Sequence, residues 1–144
     1  MILASEADTA AFGARLASIA APGDVITLSG PLGVGKTALV RGFIAALGHR
    51  GDVPSPSFAI VQPYEELDPP VWHVDLYRVE RSGEMEELGL DSAAEAVLLI
   101  EWPERAGIDV WPEALALSLE FGSDDERILT AKVPPSWVGR WPLQ

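Results

Sequence analysis

The stretch that decides the fold is Gly30-Pro31-Leu32-Gly33-Val34-Gly35-Lys36-Thr37. It fits G-x-x-x-x-G-K-[ST], the Walker A pattern. Glycines let the backbone curl so that consecutive N–H groups face inward and bind phosphate oxygens. A helix that begins near Lys36 adds the positive end of its dipole. The motif therefore predicts a phosphate-binding loop; the alternative is a glycine-rich turn that caps a helix without a ligand.

The side chains of this loop predict a nucleotide site. Lys36 supplies a positive charge at the β- and γ-phosphates, and the Thr37 hydroxyl is suited to ligate Mg²⁺. The residues predicted to bind the cofactor here are Gly33, Val34, Gly35, Lys36, Thr37 and Ala38. A guanine-specific GTPase normally carries Asn-Lys-x-Asp, and the chain contains no Asn. ATP is favoured by this exclusion.

The elements around the loop predict an α/β domain. An apolar strand at 25–28 precedes the loop and an amphipathic helix at 36–47 follows it. Apolar runs and turn residues predict a first helix after Ser5, further strands at 58–61, 71–76 and 97–100, a short helix at 84–88, and a hairpin of 115–121 with 127–133. We predict one P-loop ATPase domain over 1–133 and an extended, Pro- and Trp-containing tail over 134–144.

Two carboxylates follow apolar strands and are candidate partners of the loop. Glu101 comes directly after the strand at 97–100, and Asp75 lies near the end of 71–76. The carboxyl ends of parallel strands border the ligand crevice. We interpret Glu101 as a Mg²⁺ ligand, directly or through water, and Asp75 as the group that orients or deprotonates the attacking water. The alternative for each is a solvated acid at a strand end.

Other polar residues give weaker signals. Ser55 and Ser57 lie in a loop that could present a hydroxyl to the γ-phosphate or metal, and a simple turn is about as good an interpretation. His73 is interpreted as a packed strand residue rather than a ligand. Three arginines are surface residues or contacts to phosphate or a partner: Arg41, Arg78 and Arg81.

Composition and charge exclude several classes of protein and binding partner. The chain has 144 residues, a net charge of −12 and no Cys. Absence of Cys excludes a disulfide scaffold, a zinc ribbon and a Cys nucleophile. The negative charge argues against a domain that grips nucleic acid or an anionic membrane by itself. We find no secretory signal and no apolar run long enough to span a bilayer, so we expect a cytoplasmic protein.

Taken together, five stretches resemble the TsaE family, the small ATPases of bacterial tRNA threonylcarbamoyladenosine biosynthesis. They are, in chain order, GDVITLSGPLGVGKTALVRGFIAALG, SPSF, HVDLYR, EELGLD and LIEWPE. The resemblance runs from about Ser5 to the hairpin near Val133. Walker A alone occurs in many families, whereas this combination in a chain this short is much more specific.

The resemblance implies a P-loop α/β fold with a mixed, mostly parallel sheet flanked by helices. It implies weak Mg²⁺-dependent ATP hydrolysis and association with TsaB and TsaD, so that tRNA is met only through the complex. It also implies that Lys36 and Asp75 are catalytic, that Thr37 and Glu101 hold Mg²⁺, and that Glu6, Ser57 and Trp102 lie at the nucleotide. Ser57 replaces a Thr that the family often has, which keeps the hydroxyl.

Two other functions remain open. A small-molecule P-loop kinase would use the same loop, although we see no Arg-rich lid and little room for an acceptor site. A nucleotide-binding interaction module without turnover would also fit the loop. Paired acids at two strand ends argue for some hydrolysis.

Overall fold

The computed structural model describes residues 1–54, 60–80, 87–107 and 110–141. The described residues contain two α-helices, α1 (Glu6–Ala17) and α2 (Lys36–Ala46). The strands are β1 (Ile2–Leu3), β2 (Val25–Ser29), β3 (Val61–Tyr64), β4 (Val71–Asp75), β5 (Val97–Glu101), β6 (Leu115–Phe121) and β7 (Arg127–Lys132). None of the helices within these ranges is long and apolar enough to cross a membrane.

The seven strands form one mixed sheet in the order β1-β7-β6-β2-β5-β4-β3. The central pairs β6–β2, β2–β5 and β5–β4 are parallel, and the outer pairs are antiparallel. All five residues of β5 are buried, as expected for a strand covered on both faces. The predicted α/β fold with a mixed sheet is confirmed, as is the hairpin of β6 with β7.

Helix α1 begins where its sequence predicts. The Ser5 side-chain oxygen accepts a hydrogen bond from the Asp8 backbone N–H at 3.2 Å, which satisfies one of the free donors of the first turn. The acids Glu6 and Asp8 lie in that turn, where negative charge is stabilised by the helix dipole.

Helices α1 and α2 touch through their backbones. A Cβ atom added at Gly42 would lie 1.9 Å from the Ala10 carbonyl oxygen, and one at Gly13 would lie 2.0 Å from the Leu39 carbonyl oxygen. Only glycine allows this approach, since any larger side chain would overlap the facing backbone. The contact brings the start of α1 to the side of the phosphate loop.

Apolar side chains fill both faces of the sheet. Phe12, Leu39 and Phe43 belong to the core under the two helices, together with β-strand residues such as Ile26. A second apolar cluster, on the opposite face of the sheet, contains Val74, Leu98 and Ile100. The strands that carry the candidate acids therefore lie between two packed apolar layers.

Two details of the predicted fold are wrong. The third strand is Val61–Tyr64 rather than 58–61; residues 58 and 59 lie outside the described residues. The tail is not extended at its start, because Pro135–Trp137 forms a 3-10 helix that buries the Trp137 side chain in the core. Of the short helix predicted at 84–88, residues 84–86 lie outside the described residues.

Candidate functional site

The glycine-rich loop runs from the end of β2 to the start of α2. Gly30 has φ +145° and Gly35, which caps α2, has φ +114°. At Gly30 a Cβ atom would also lie 2.5 Å from the Leu119 carbonyl oxygen. Residues other than glycine rarely adopt these φ values. The curled backbone that a phosphate site needs is thus built into the sequence.

A cavity of about 600 Å³ opens beside this loop. Its volume is in the range of small-molecule sites. It brings together most of the residues predicted for the site: Glu6, Gly33, Val34, Gly35, Lys36, Thr37, Ala38, Asp75, Glu101 and Trp102. Ser57 lies outside the described residues. The loop, the start of α1 and the two strand ends therefore meet at one cavity.

The two candidate acids are neighbours across a parallel strand pair. Asp75 ends β4 and Glu101 ends β5, and their Cα atoms are register partners. Both residues are buried, at 4% and 2% exposed. The Thr37 hydroxyl donates to the Glu101 carboxylate, 3.1 Å from each oxygen, and Asp75 Oδ1 accepts from the Tyr77 N–H at 2.9 Å. The loop threonine and the strand-end glutamate thus form one polar unit.

Lys36 is buried at the base of the loop. Its ammonium group donates a hydrogen bond to the Gly30 carbonyl and lies 3.4 Å from the centroid of the Trp102 ring. Burial lowers the pKa of Lys36, while the negative charges of Glu101, Glu104 and Asp75 act in the opposite direction. The lysine is therefore a partly desolvated cation held by a carbonyl and an aromatic face.

Trp102 joins the loop to the surface beside it. Its backbone has φ +59°, which is uncommon for a residue other than glycine and costs conformational energy. Its ring lies 4.8 Å from the Tyr77 ring, centroid to centroid, and the Arg105 guanidinium lies 5.4 Å from the Tyr77 centroid. Strained residues of this kind cluster at functional sites, where the surrounding structure holds them.

The oxygen groups of the site fit a hard divalent cation. Thr37, Glu101 and Asp75 present a hydroxyl and two carboxylates, the donor types that Mg²⁺ prefers. Among the described residues, no group of three or more His, Cys, Asp or Glu side chains is placed to enclose a metal. A site with few protein ligands suits Mg²⁺ in particular, because this ion keeps several waters and shares its coordination with substrate phosphates.

Several residues of the cavity were not predicted. Arg127 of β7 lines it and donates from Nε to the Val34 carbonyl at 3.0 Å. Asp125 and Tyr77 also line it, and so do Arg41 and Arg78, for which the sequence left the choice open. Contacts such as Arg127 with Val34 join distant parts of the chain, so no local pattern announces them.

His73, which the sequence analysis interpreted as a packed strand residue, makes a contact that the sequence did not predict. It is buried, as expected for a packed strand residue, but its Nε2 lies 2.6 Å from Glu101 Oε2. The available signal was its spacing from Asp75. Residues two apart on a strand share a face, which places His73 on the side of the sheet that carries the acid.

The fold and the loop together define the class: this is a P-loop NTPase domain, with a β2–loop–α2 unit and an acid at the end of the adjacent parallel strand. Residues 3–129 match the model of the family described as Threonylcarbamoyl adenosine biosynthesis protein TsaE. The chain belongs to the TsaE family, and the resemblance noted in its sequence is confirmed.

Individual relatives agree with this assignment. Over 134 residues the chain is 39% identical to a tRNA threonylcarbamoyladenosine biosynthesis protein TsaE of Streptomyces coelicolor, covering 90% of each chain. It is 39% identical over 125 residues to the protein of the same name from Bacillus subtilis, covering 85% of this chain and 78% of that one. The crystal structure of Bacillus subtilis YdiB superimposes with a TM-score of 0.81 at 31% identity, covering 97% of this chain and 88% of that chain.

Proposed function

We propose that this chain is a Mg²⁺-dependent ATPase that supports threonylcarbamoyl modification of the tRNA adenosine next to the anticodon, acting with TsaB and TsaD homologues. The observation that carries the proposal is the polar unit of Thr37 and Glu101 beside Lys36. In a P-loop enzyme a loop hydroxyl and a strand-end carboxylate hold the metal, and the loop lysine binds phosphate. Family membership gives the pathway.

Each residue that the sequence predicted for the site has a role in this proposal. The backbone N–H groups of residues 33–38 and the Lys36 ammonium bind the phosphates. Thr37 and Glu101 hold Mg²⁺, and Asp75 orients or deprotonates the attacking water. When bound, Mg²⁺ neutralises charge on the β- and γ-phosphate oxygens. Glu6, Trp102 and Ser57 complete the nucleotide site, Ser57 on the basis of sequence alone.

Lys36 changes partners when phosphate enters. In the described state its ammonium is bound to the Gly30 carbonyl and covered by the Trp102 ring. Phosphate oxygens carry more negative charge than a carbonyl, and charge-assisted hydrogen bonds are roughly twice as strong as neutral ones. Nucleotide binding therefore takes Lys36 from its internal acceptor, which keeps the buried cation satisfied at every stage.

Charge supports the proposed partners. With a net charge of −12, the chain repels a phosphate backbone and meets tRNA only indirectly, through the TsaB–TsaD complex. We place it in the cytoplasm, with its substrates and partners. ATP is proposed as the nucleotide because the guanine-reading Asn-Lys-x-Asp motif needs an Asn that the chain lacks.

The test compares the two lysines of the chain. Lys36→Ala should lose nearly all Mg²⁺-dependent phosphate release from ATP and bind ADP more weakly. Lys132→Ala, which removes the same group from an exposed position on β7, should keep both. Equal activity of the two variants would refute the P-loop assignment. Transfer of phosphate to a small acceptor instead of water would favour the kinase alternative, and tight ADP binding without any phosphate release would favour the interaction module.

A further inference from the structure

A buried histidine contacts Glu101, one of the proposed metal ligands. The His73 side chain is 0% exposed, and its register partner on β5 is Leu99. Its ring reaches diagonally to Glu101, two residues further along β5, where Nε2 lies 2.6 Å from Oε2. Diagonal neighbours across a strand pair are within reach of long side chains, so the sheet register itself creates this contact.

The proposed metal role of Glu101 requires one arrangement of hydrogens in this contact. A carboxylate that binds Mg²⁺ is ionised and only accepts hydrogen bonds, so in this role Nε2 of His73 is the donor. The other ring nitrogen, Nδ1, is buried without a hydrogen-bond partner among the described residues. Most buried polar atoms have a partner. A histidine that leaves one nitrogen unpaired in order to donate to Glu101 is a costly core residue, and packing alone does not account for it.

Glu101 is thereby held from two elements. Thr37 at the start of α2 donates to the carboxylate, 3.1 Å from each oxygen, and Nε2 of His73 on β4 lies 2.6 Å from Oε2. We infer that His73 is a positioning residue, which fixes the Glu101 carboxylate in the orientation that holds Mg²⁺ beside Thr37. This inference rests on the proposed function, since it assigns a purpose to the Glu101 contact only if Glu101 binds the metal.

The expected effect is on metal affinity. A glutamate side chain has several freely rotating bonds, and a fixed partner removes rotamers that point away from the metal. Hydrogen-bond partners of metal ligands typically contribute about 10–100-fold to metal affinity or activity. Nucleotide contacts that do not involve the metal should be unaffected, because His73 does not line the cavity.

The experiment measures ADP binding by calorimetry over a series of Mg²⁺ concentrations. His73→Leu keeps an apolar side chain of similar size but removes the donor, and should raise the Mg²⁺ concentration for half-maximal enhancement of ADP binding by about tenfold or more. His73→Gln places an amide N–H₂ near the position of Nε2 and should stay within about threefold of the unsubstituted protein. ADP binding in EDTA should change less than about twofold in either variant.

A double substitution tests the route of the effect. If His73 acts only through Glu101, then adding His73→Leu to a Glu101→Gln protein should not raise the Mg²⁺ requirement for ADP binding any further. Independent losses that add would show that His73 affects the site by another route and would overturn the inference. Thermal unfolding of each variant reports whether the fold is kept.

Other results of these experiments also test the positioning role of His73. A folded His73→Leu protein with unchanged Mg²⁺ dependence, or a His73→Gln protein as impaired as His73→Leu, would overturn the positioning role. If His73→Leu does not fold, His73→Asn replaces it: its shorter side chain cannot reach Glu101, and it should lose Mg²⁺ affinity where His73→Gln keeps it. An unsubstituted protein whose ADP binding ignores Mg²⁺ would instead overturn the proposed function, and with it this inference.

Discussion

The Lys36 ammonium lies 3.4 Å from the centroid of the Trp102 indole ring, between that ring and the carbonyl of Gly30. Trp102 directly follows Glu101, so one turn of backbone places both the aromatic cover of the lysine and the candidate metal ligand. The backbone of Trp102 is left-handed, with φ +59°. If the Lys36 ammonium moves to another partner, the environment of the Trp102 ring therefore changes.

This contact predicts an optical signal. Displacement of the ammonium from the ring should change the fluorescence of Trp102, one of five tryptophans in the chain. Trp102→Phe should therefore lose most of the emission change that ADP causes, whereas Trp111→Phe, outside the cavity, should keep it. Titration of each variant with ADP measures this. A full response in Trp102→Phe would show that Lys36 does not leave the ring.

The two acids should fail in different ways. Glu101→Gln weakens the metal site, so activity should need much higher Mg²⁺, whereas Asp75→Asn should lower turnover while ADP affinity is largely kept. A drop of about 10²-fold is expected for loss of a group that orients or deprotonates water. Phosphate release and ADP binding over a range of Mg²⁺ separate the two. Mg²⁺ sensitivity in Asp75→Asn but not in Glu101→Gln would reverse the two roles.

The backbone contact between the helices should be intolerant of a methyl group. Gly42→Ala would bring a Cβ to 1.9 Å from the Ala10 carbonyl oxygen and push α2 away from α1. Overpacking of this kind costs about 1–3 kcal/mol. We expect a loss of about 3 kcal/mol in the free energy of unfolding, measured by urea denaturation. Gly139→Ala, which meets nothing within 4 Å, is the matched control and should be near neutral; equal effects would contradict the contact.

Lys36 also makes stability depend on pH in a defined direction. Burial lowers its pKa from the ordinary value of 10.5. Between the lowered pKa and 10.5 the unfolded chain binds more protons than the native protein, so this group makes the native protein more stable as pH rises. The free energy of unfolding of Lys36→Met, minus that of the unsubstituted protein, should therefore fall as pH rises through this window.

Urea unfolding at a series of pH values from about 7 to 10.5 measures this difference. Burial and the charge of Glu66 raise the pKa of Tyr64 above its ordinary value of 10.0, so this group can contribute only at the upper end of the range. Because Tyr64 is present in both proteins, its contribution cancels in the difference. Parallel pH profiles for the two proteins would contradict a desolvated Lys36.

Local patterns predicted the parts of the site that lie in local sequence. The glycine spacing, the apolar run before it and the amphipathic helix after it together predicted β2, the loop and α2. The acids were found for the same reason, since Asp75 and Glu101 each end an apolar strand. Their pairing as neighbours follows from the parallel β4–β5 register, which was implied only by the carboxyl-end rule.

The two errors in the predicted fold concern segments whose structure depends on their position in the folded protein. Pro63 marks the middle of β3, where a proline normally argues against a strand. It is tolerated because β3 is the edge strand among the described residues, so its missing N–H costs no ladder bond to any of them on the outer side. The tail prolines suggested an extended segment, but burial of the large Trp137 side chain favours a short 3-10 turn with proline at its start.

The contact that His73 makes with Glu101 could not be predicted from sequence in the same way. Its contact with Glu101 is a diagonal one, so it depends on the register of two strands that are separated along the chain. The same holds for Arg127, which reaches the loop from β7. Local sequence predicted most residues of the site, and the strand order and register determine which side chains meet there.

The central claim is that this chain is an ATPase governed by partners. No arginine of the chain could be assigned as a finger from sequence, and an arginine supplied in trans can raise P-loop turnover by about 10³–10⁵-fold. The most direct test is steady-state phosphate release by the purified chain, alone and with reconstituted TsaB and TsaD homologues, with and without tRNA. The account predicts slow, Mg²⁺-dependent release by the chain alone and a changed rate with the partners. Fast release by the chain alone, indifferent to both partners, would contradict it.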